Sequence, residues 1–295
     1  MSMISDKPLS RRLILAGLGI GAAGLGLATP AEAAGKLKAI KSRGYIRGAT
    51  ANEVPYGFMD ENGKAAGIGP DVAKAVLDKM GIKDVEWVVT PFGSLIPGLK
   101  ANRFDFVAAE QNILPDRCRV VRFTQPNSSY GEGLLVKAGN PKNIHGYDDI
   151  KKNTSLKVAI VSGADQIDFL HATGVPDSQI VMIPNNADAL STIETGRADC
   201  YAATELTVAR LAAHSKSVEA AEPFSDPIVK GKPVRSYGGF SFRPQDKDLY
   251  EAFNAALVAF KKTPDWAHIL SSYGLSQKSI DAARSMTMEA LCSGK

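Results

Sequence analysis

The sequence predicts an α/β protein of two related lobes, each a mostly parallel sheet flanked by helices, and three observations carry that reading. Residues 104–109, Phe-Asp-Phe-Val-Ala-Ala, have the aromatic, β-branched and small side chains of a strand covered on both faces, the pattern of parallel sheets under helices. The stretch 96–110, Ile-Pro-Gly-Leu-Lys-Ala-Asn-Arg-Phe-Asp-Phe-Val-Ala-Ala-Glu, is echoed at 190–204 by Leu-Ser-Thr-Ile-Glu-Thr-Gly-Arg-Ala-Asp-Cys-Tyr-Ala-Ala-Thr. In both, an apolar helix stripe stops at a residue that tolerates the left-handed cap, Asn102 or Gly196, and Arg-x-Asp leads into a strand that ends Ala-Ala. Glu110 and Thr204 then stand at corresponding strand ends, where they can face each other across a cleft. Strand and helix patterns also alternate along both halves of the chain, the order of a parallel α/β sheet.

Residues 1–33 have the form of an export signal: Ser10-Arg11-Arg12-Leu13-Ile14-Leu15 opens an apolar, glycine-rich run to Leu27, and Ala31-Glu32-Ala33 is a small-x-small cleavage site. The mature chain is expected to start at Ala34, in the periplasm. The paired arginines are similar to a twin-arginine signal, and Lys7 with the residues after the pair leaves Sec export open. A membrane anchor needs about 20 apolar residues, and this run is shorter and rich in Gly and Ala. Gly19-Ile20-Gly21-Ala22-Ala23-Gly24 spells a dinucleotide fingerprint but follows no strand and opens no βαβ unit, so it is set aside as signal.

Residues 44–50 read as the first strand, followed by Asn52-Glu53-Val54-Pro55-Tyr56-Gly57-Phe58, a loop too apolar to be idle. A helix is expected over 71–80, with Val72, Val76, Leu77 and Met80 on one face and Gly81 as its stop. Residues 85–89 make the next strand, and Pro91-Phe92-Gly93-Ser94 starts the helix of the first repeat copy. The chain runs extended over 134–137 and meets a turn-rich boundary at Gly139-Asn140-Pro141 and His145-Gly146. A second set follows, with strand 156–161, helix 165–173, strand 179–183 and the second repeat copy. Another extended passage, 236–243, precedes a helix over 248–261 and one begun by Thr263 as N-cap and Pro264 as first residue, with Gly274 after its last turn. The two extended crossings put 34–130 and 238–295 in lobe one and 131–237 in an inserted lobe two.

A chain of 295 residues that is 44% apolar and 22% charged buries a substantial core and is not a disordered one. Its net charge of +4, without a basic run interleaved with aromatics, argues against a nucleic-acid partner, and a monomer is expected. Three cysteines in an oxidising compartment allow at most one intramolecular disulfide. Cys200 lies in an apolar strand as a small buried hydrophobe, which leaves Cys118 with Cys292. The histidines at 145, 171, 214 and 268 have no metal-ligand spacing, Gly-x-Ser-x-Gly is absent, and acid pairs such as Asp148 with Asp149 read as surface. No metal, no cofactor and no catalytic constellation is expected, and a binding protein fits that pattern better than a hydrolase.

After the strand at 104–109 the chain turns polar at Glu110, Gln111 and Asn112, breaks at Pro115 and presents Arg117. Ligands collect at the carboxyl ends of the strands in open α/β sheets, and a guanidinium there is a two-pronged clamp for a carboxylate or phosphate. Gly44-Tyr45-Ile46-Arg47, Pro55-Tyr56-Gly57-Phe58, Gly67-x-x-Pro70-Asp71, Leu114-Pro115-Asp116-Arg117, Phe123-Thr124-Gln125-Pro126, Val161-Ser162-Gly163 and Gly196-Arg197-Ala198-Asp199 follow one another along nearly the whole mature chain. In that order they resemble the family 3, amino-acid-type solute-binding proteins of ABC importers. Within that family Asp116-Arg117-Cys118, Tyr147-Asp148-Asp149-Ile150, Gly174-Val175-Pro176 and Leu291-Cys292 look most like the ectoine and hydroxyectoine binders.

The resemblance implies a periplasmic-binding-protein fold of type II with a two-stranded hinge, and a receptor that hands a small zwitterion to a membrane permease by lobe closure. It places the ligand carboxylate on Arg117, helped by Asn112, and sandwiches the ligand between Tyr56 and Phe92. Glu53 belongs to the loop that carries Tyr56, and in lobe two the turn with Gly163, Asp165 and Gln166 closes on the ligand. Amino-acid binders usually carry an aspartate at the position of Thr204, so a common free α-amino acid is disfavoured, whereas an amidinium such as that of ectoine can be held by aromatic faces. Asn112 and Gln166 depart from the ectoine pattern, where another aromatic and a carboxylate are expected, and Glu110, in place of a usual glycine, either supplies a substitute charge or points outward. Alternatives are a polar amino-acid or opine binder and, in another class, an enzyme like the cyclohexadienyl and arogenate dehydratases, with Glu110, Glu53 and Asp165 as its acids.

Overall fold

The computed structural model describes residues 35–294. The export signal, its cleavage site and the start at Ala34 lie outside the described residues. α1 (Lys36–Arg43) sinks Ile40 into the core and stops at Gly44, whose φ of 87° is left-handed. β1 (Tyr45–Thr50) and a short hairpin, β2 (Phe58–Met59) with β3 (Ala65–Ala66), lead to α2 (Ile68–Lys79), which buries Val72, Val76 and Leu77. β4 (Asp84–Val89), α3 (Leu95–Lys100) and β5 (Phe106–Asn112) follow, then α4 (Pro115–Cys118), β6 (Arg122–Phe123) and β7 (Ser128–Tyr130). Next come β8 (Glu132–Lys137), α5 (Tyr147–Lys152), β9 (Val158–Val161), α6 (Gln166–Thr173), β10 (Ile180–Ile183), α7 (Ala187–Glu194), β11 (Cys200–Thr204), α8 (Glu205–Ala213) and β12 (Val218–Ala220). The hairpin β13 (Ile228–Val229) with β14 (Lys232–Pro233) precedes β15 (Ser236–Phe242), and α9 (Lys247–Phe260), α10 (Pro264–Ser272), α11 (Gln277–Ser285) and α12 (Met288–Ser293) end the described chain.

One sheet has the order β4-β1-β5-β15-β6, with β7 also on β15, and the other the order β10-β9-β11-β8-β12. β4, β1 and β5 are parallel, as are β10, β9 and β11, whereas β15, β6, β7, β8 and β12 pair antiparallel. Each sheet is therefore mixed, and the expectation of mostly parallel sheets holds only for three strands of each. Of the antiparallel members, β7 and β8 carry the chain from the first sheet to the second and β15 receives it on its return. In the first sheet β1, β5 and β15 pack against α2, α9 and α10 on one face, through Phe106, Phe240, Phe253 and Trp266; Leu95, Leu99, Phe104 and Val107 form a separate core.

The two repeat copies fold alike down to their hydrogen bonds. Asp105 exchanges backbone and side-chain bonds with Arg47, and Asp199 does the same with Lys157: each aspartate N–H donates to the partner's carbonyl at 2.8 Å, and each carboxylate accepts the partner's N–H at 2.9 and 2.8 Å. Asn102 and Gly196 both take positive φ, 58° and 72°. The chain passes between sheets at Gly131 and again between β14 and β15. These crossings lie side by side, because Ser236 pairs with Tyr130 and Gly238 with Ser128.

Candidate functional site

β5 and β11 bring their carboxyl ends to the same gap, and a cavity of about 40 Å³, counted over the centres of water-sized spheres, lies between the sheets there. At about 10–15 Å³ for each water on that measure, the space is that of a small molecule. The first sheet and its loops contribute Glu53, Tyr56, Phe92, Ala109, Glu110, Asn112 and Tyr130 to the lining. The second contributes Val161, Ala164, Asp165, Gln166, Asn186, Tyr201, Ala203 and Thr204. Eight of the ten residues expected to bind ligand, all but Arg117 and Gly163, thus converge on one space.

Polar contacts stitch the two sides together around it. The Tyr56 hydroxyl donates to Thr204 Oγ1 at 2.8 Å, Thr207 Oγ1 donates to Glu53 Oε1 at 2.8 Å, and Asn112 Nδ2 donates to Asp165 Oδ2 at 2.5 Å. Thr204 is also the N-cap of α8, its Oγ1 accepting from Thr207 N. The Tyr56 and Tyr130 rings pack with centroids 5.0 Å apart. Burial pushes the Glu53 carboxyl above the ordinary carboxylate range, and bonds from Thr207 and Asn186 pull it part of the way back.

Arg117 sits beside the lining. Its guanidinium lies 5.7 Å from the Phe92 ring centroid and spans two backbone carbonyls, Nη1 to Asn112 O at 3.0 Å and Nη2 to Gly163 O at 2.9 Å. Gly163 is the second expected residue outside the lining: it has a φ of 84° and stands against Gly93, where a Cβ would meet the Gly93 Cα at 2.7 Å. Arg117 and Gly163 therefore join the two sides at the edge of the cavity. Next to Arg117, the cysteines at 118 and 292 are joined, with Cα atoms 5.7 Å apart, while Cys200 is free and buried.

Glu110 and Thr204 both line the cavity, but the Glu110 carboxylate turns toward the crossing, where it accepts from Asn127 Nδ2 at 2.8 Å and from Ser128 Oγ. Its φ of 49° puts an irregularity into the pairing of β5 with β15, and its side chain packs against Gly238. Burial pushes this carboxyl up to about 7 against the pull of Ser128, Asn127 and the Lys261 charge.

Tyr130, Asn186 and Tyr201 line the cavity without having been marked by sequence reasoning. The repeat carries a signal for Asn186: the offset that carries Glu110 onto Thr204 also carries Phe92 onto Asn186, four residues ahead of the matched stretches that begin at 96 and 190. Nothing in the chain distinguishes Tyr130, which reaches the cavity only because the crossing strand passes behind it.

Two lobes joined by two adjacent crossings, with a small polar and aromatic cavity between strand ends, define a solute-binding protein. The chain belongs to the bacterial extracellular solute-binding proteins, family 3, whose model matches residues 46–276. It is 50% identical over 276 residues to a protein of Sinorhizobium fredii named as a probable amino-acid ABC transporter periplasmic-binding protein, y4tE, covering 92% of this chain and 91% of that one. Among solved structures it is similar to EhuB in complex with hydroxyectoine, at 32% identity and a TM-score of 0.80 over 88% of this chain and 98% of that one. It is also similar to an ancestral amino-acid-binding protein described as a precursor of cyclohexadienyl dehydratase, at 28% identity and a TM-score of 0.69 over 80% and 98% of the two chains.

Proposed function

We propose that the protein is the periplasmic receptor of an ABC importer, working as a monomer that encloses a small zwitterion and presents the closed form to an inner-membrane permease. Ectoine or hydroxyectoine is the favoured ligand, ahead of a polar amino acid or an opine. One observation carries the reading: the cavity lining combines Glu53 and Asp165 with the rings of Tyr56, Phe92, Tyr130 and Tyr201 and contains no Lys, Arg or His. Such a lining suits a compact cation held by aromatic faces and carboxylates, with Arg117 at the edge left to take the ligand's own carboxylate. The likeness to the hydroxyectoine complex supports the same class.

A thermal-shift panel of ectoine, hydroxyectoine, betaine, arginine, an opine and glutamate, followed by calorimetry on the best ligand, tests it. A ligand that binds the native state raises the melting temperature with concentration. The expected result is stabilisation by ectoine or hydroxyectoine; stabilisation by an amino acid or the opine alone overturns the ectoine preference, and stabilisation by no member of the panel overturns the reading. Prephenate and arogenate are expected to remain unconsumed, since Glu53, Asp165 and Glu110 each already accept side-chain bonds from the protein.

A further inference from the structure

Beneath the cavity floor lies a fourth acid that does not line it. Glu132, on β8, is 3% exposed; its Oε2 accepts from Gln166 Nε2 at 2.7 Å and its Oε1 from Ser236 Oγ at 3.1 Å. Ser236 Oγ in turn accepts from Asn112 Nδ2 at 3.0 Å, and the same amide nitrogen holds Asp165 Oδ2. Glu132 is thus one hydrogen bond from Gln166, two from Asn112 and three from Asp165, all residues of the lining.

The groups that face Glu132 are Asp165 and Gln166 at the start of α6, Glu205 of α8, Ser236 of β15, and the phenols of Tyr56, Tyr130 and Tyr147. None is a cation. No ion pair among the described residues involves Glu53, Glu110, Glu132, Asp165 or Glu205. A buried carboxyl without a counter-charge keeps its proton, because desolvation penalises the ionised form. Burial accordingly pushes Glu132 well above the ordinary carboxylate range, and the negative charge of Asp165 pushes it further.

We propose that Glu132 is a positioning residue that makes ligand capture a proton exchange: the cationic group of the ligand enters beside Asp165 and Gln166, Glu132 ionises, and its proton leaves to solvent. The step balances. A neutral Glu132 and a cation become a carboxylate, the bound cation and one free proton, and no bond other than O–H breaks. This rests on the receptor reading above and adds to it that affinity increases with pH, by up to about tenfold per pH unit while one proton is released. It also gives the Gln166 amide its role, since its N–H holds the Glu132 carboxylate from the cavity side.

The test is calorimetry of the mature protein with ectoine and, separately, L-arginine, in phosphate and in Tris between pH 6 and 8. The expected result is an enthalpy that differs between buffers by the ionisation of about one proton, together with the pH slope above. Glu132→Gln, which keeps the volume and can bond Ser236, is expected to bind with both effects lost. Infrared difference spectra of the unaltered protein supply a readout that needs no variant: ligand addition should remove one protonated-carboxyl band. Binding without proton release, or an unchanged slope in Glu132→Gln, overturns the proposal and leaves the receptor reading standing. Failure of both ligands to bind overturns the proposal, while the receptor reading stands or falls on the thermal-shift panel.

Discussion

A guanidinium that reaches two carbonyls from opposite sides of a cleft is held by neutral acceptors, so a carboxylate arriving at the same edge offers it a stronger, charge-assisted bond. That is the case for Arg117, whose partners are Asn112 O and Gly163 O. Arg117→Ala is expected to cost at least about 2 kcal/mol of ligand binding, the scale for removing one partner of a buried charged pair. Calorimetry with the ligand and with its carboxamide analogue separates clamp from latch: a loss equal for both ligands would show that Arg117 only holds the sides together. Glu110 allows a second prediction. Its carboxyl, raised from 4.5 to about 7, keeps a proton that the unfolded chain has already lost across that interval, so stability falls as pH rises through it. The difference amounts to roughly 3 kcal/mol at most. Glu110→Gln can accept from Asn127 and donate to Ser128, and urea melts at pH 5 and pH 8 should show the wild type losing more stability than the variant; equal losses would remove Glu110 as the cause. At this scale it was the family resemblance that singled out Tyr56, Phe92, Asn112, Asp165 and Gln166, and all five line one cavity. The direction of a side chain was not legible, because the turn of Glu110 toward Asn127 depends on a positive φ that favours glycine and asparagine and that no neighbouring residue announces.

Apolar periodicity located the longer elements closely, and the residues that fail to show it explain the misses. The strand expected at 179–183 is β10, Ile180–Ile183, and the helix expected over 248–261 is α9, Lys247–Phe260. β5 begins two residues later than expected and runs on through Glu110, Gln111 and Asn112, all buried. Glu110 and Asn112 stay in the strand because hydrogen-bond partners at the crossing and across the cleft satisfy their side chains, while Gln111 Oε1 is buried without a partner, and composition alone reads the three as a loop. α12 and the α4 turn are short and carry little pattern of their own; the bond between Cys118 and Cys292 is what ties them together, across a sequence separation of 174. In the chain-entropy model a loop of that length is worth about 5 kcal/mol as an upper figure. Cys118→Ser with Cys292→Ser should therefore lower the denaturation midpoint and, because Arg117 is adjacent, weaken ligand binding as well. Non-reducing peptide maps of exported protein check the pairing: a map with free thiols at both positions would sink it.

At the scale of the whole molecule the repeat and the extended passages are properties of the chain taken alone, and the passages at 134–137 and 236–243 fall on β8 and β15, the strands that follow the two crossings. The fit of one lobe against the other is not such a property, and the contact of Gly93 with Ser162 and Gly163 had no sequence signal. A Cβ on Gly93 would stand 2.9 Å from Ser162 O, a backbone atom that cannot swing away, so closure to this separation requires the missing side chain. Gly93 is the cleaner of the two glycines to test, because Gly163 has a φ of 84° and any substitution there adds strain of its own. Gly93→Ala should leave the melting temperature of the ligand-free protein nearly unchanged, since the contact lies between the lobes and outside either core. It should weaken ligand binding by about 1–3 kcal/mol, the scale of an overpacked contact, because the ligand must then supply the work of pressing the lobes past the added methyl. Small-angle scattering should show a less compact liganded state than in the wild type. Unchanged affinity in Gly93→Ala would mean that the ligand is held without the lobes meeting at this point, and closure could not then be what a permease reads.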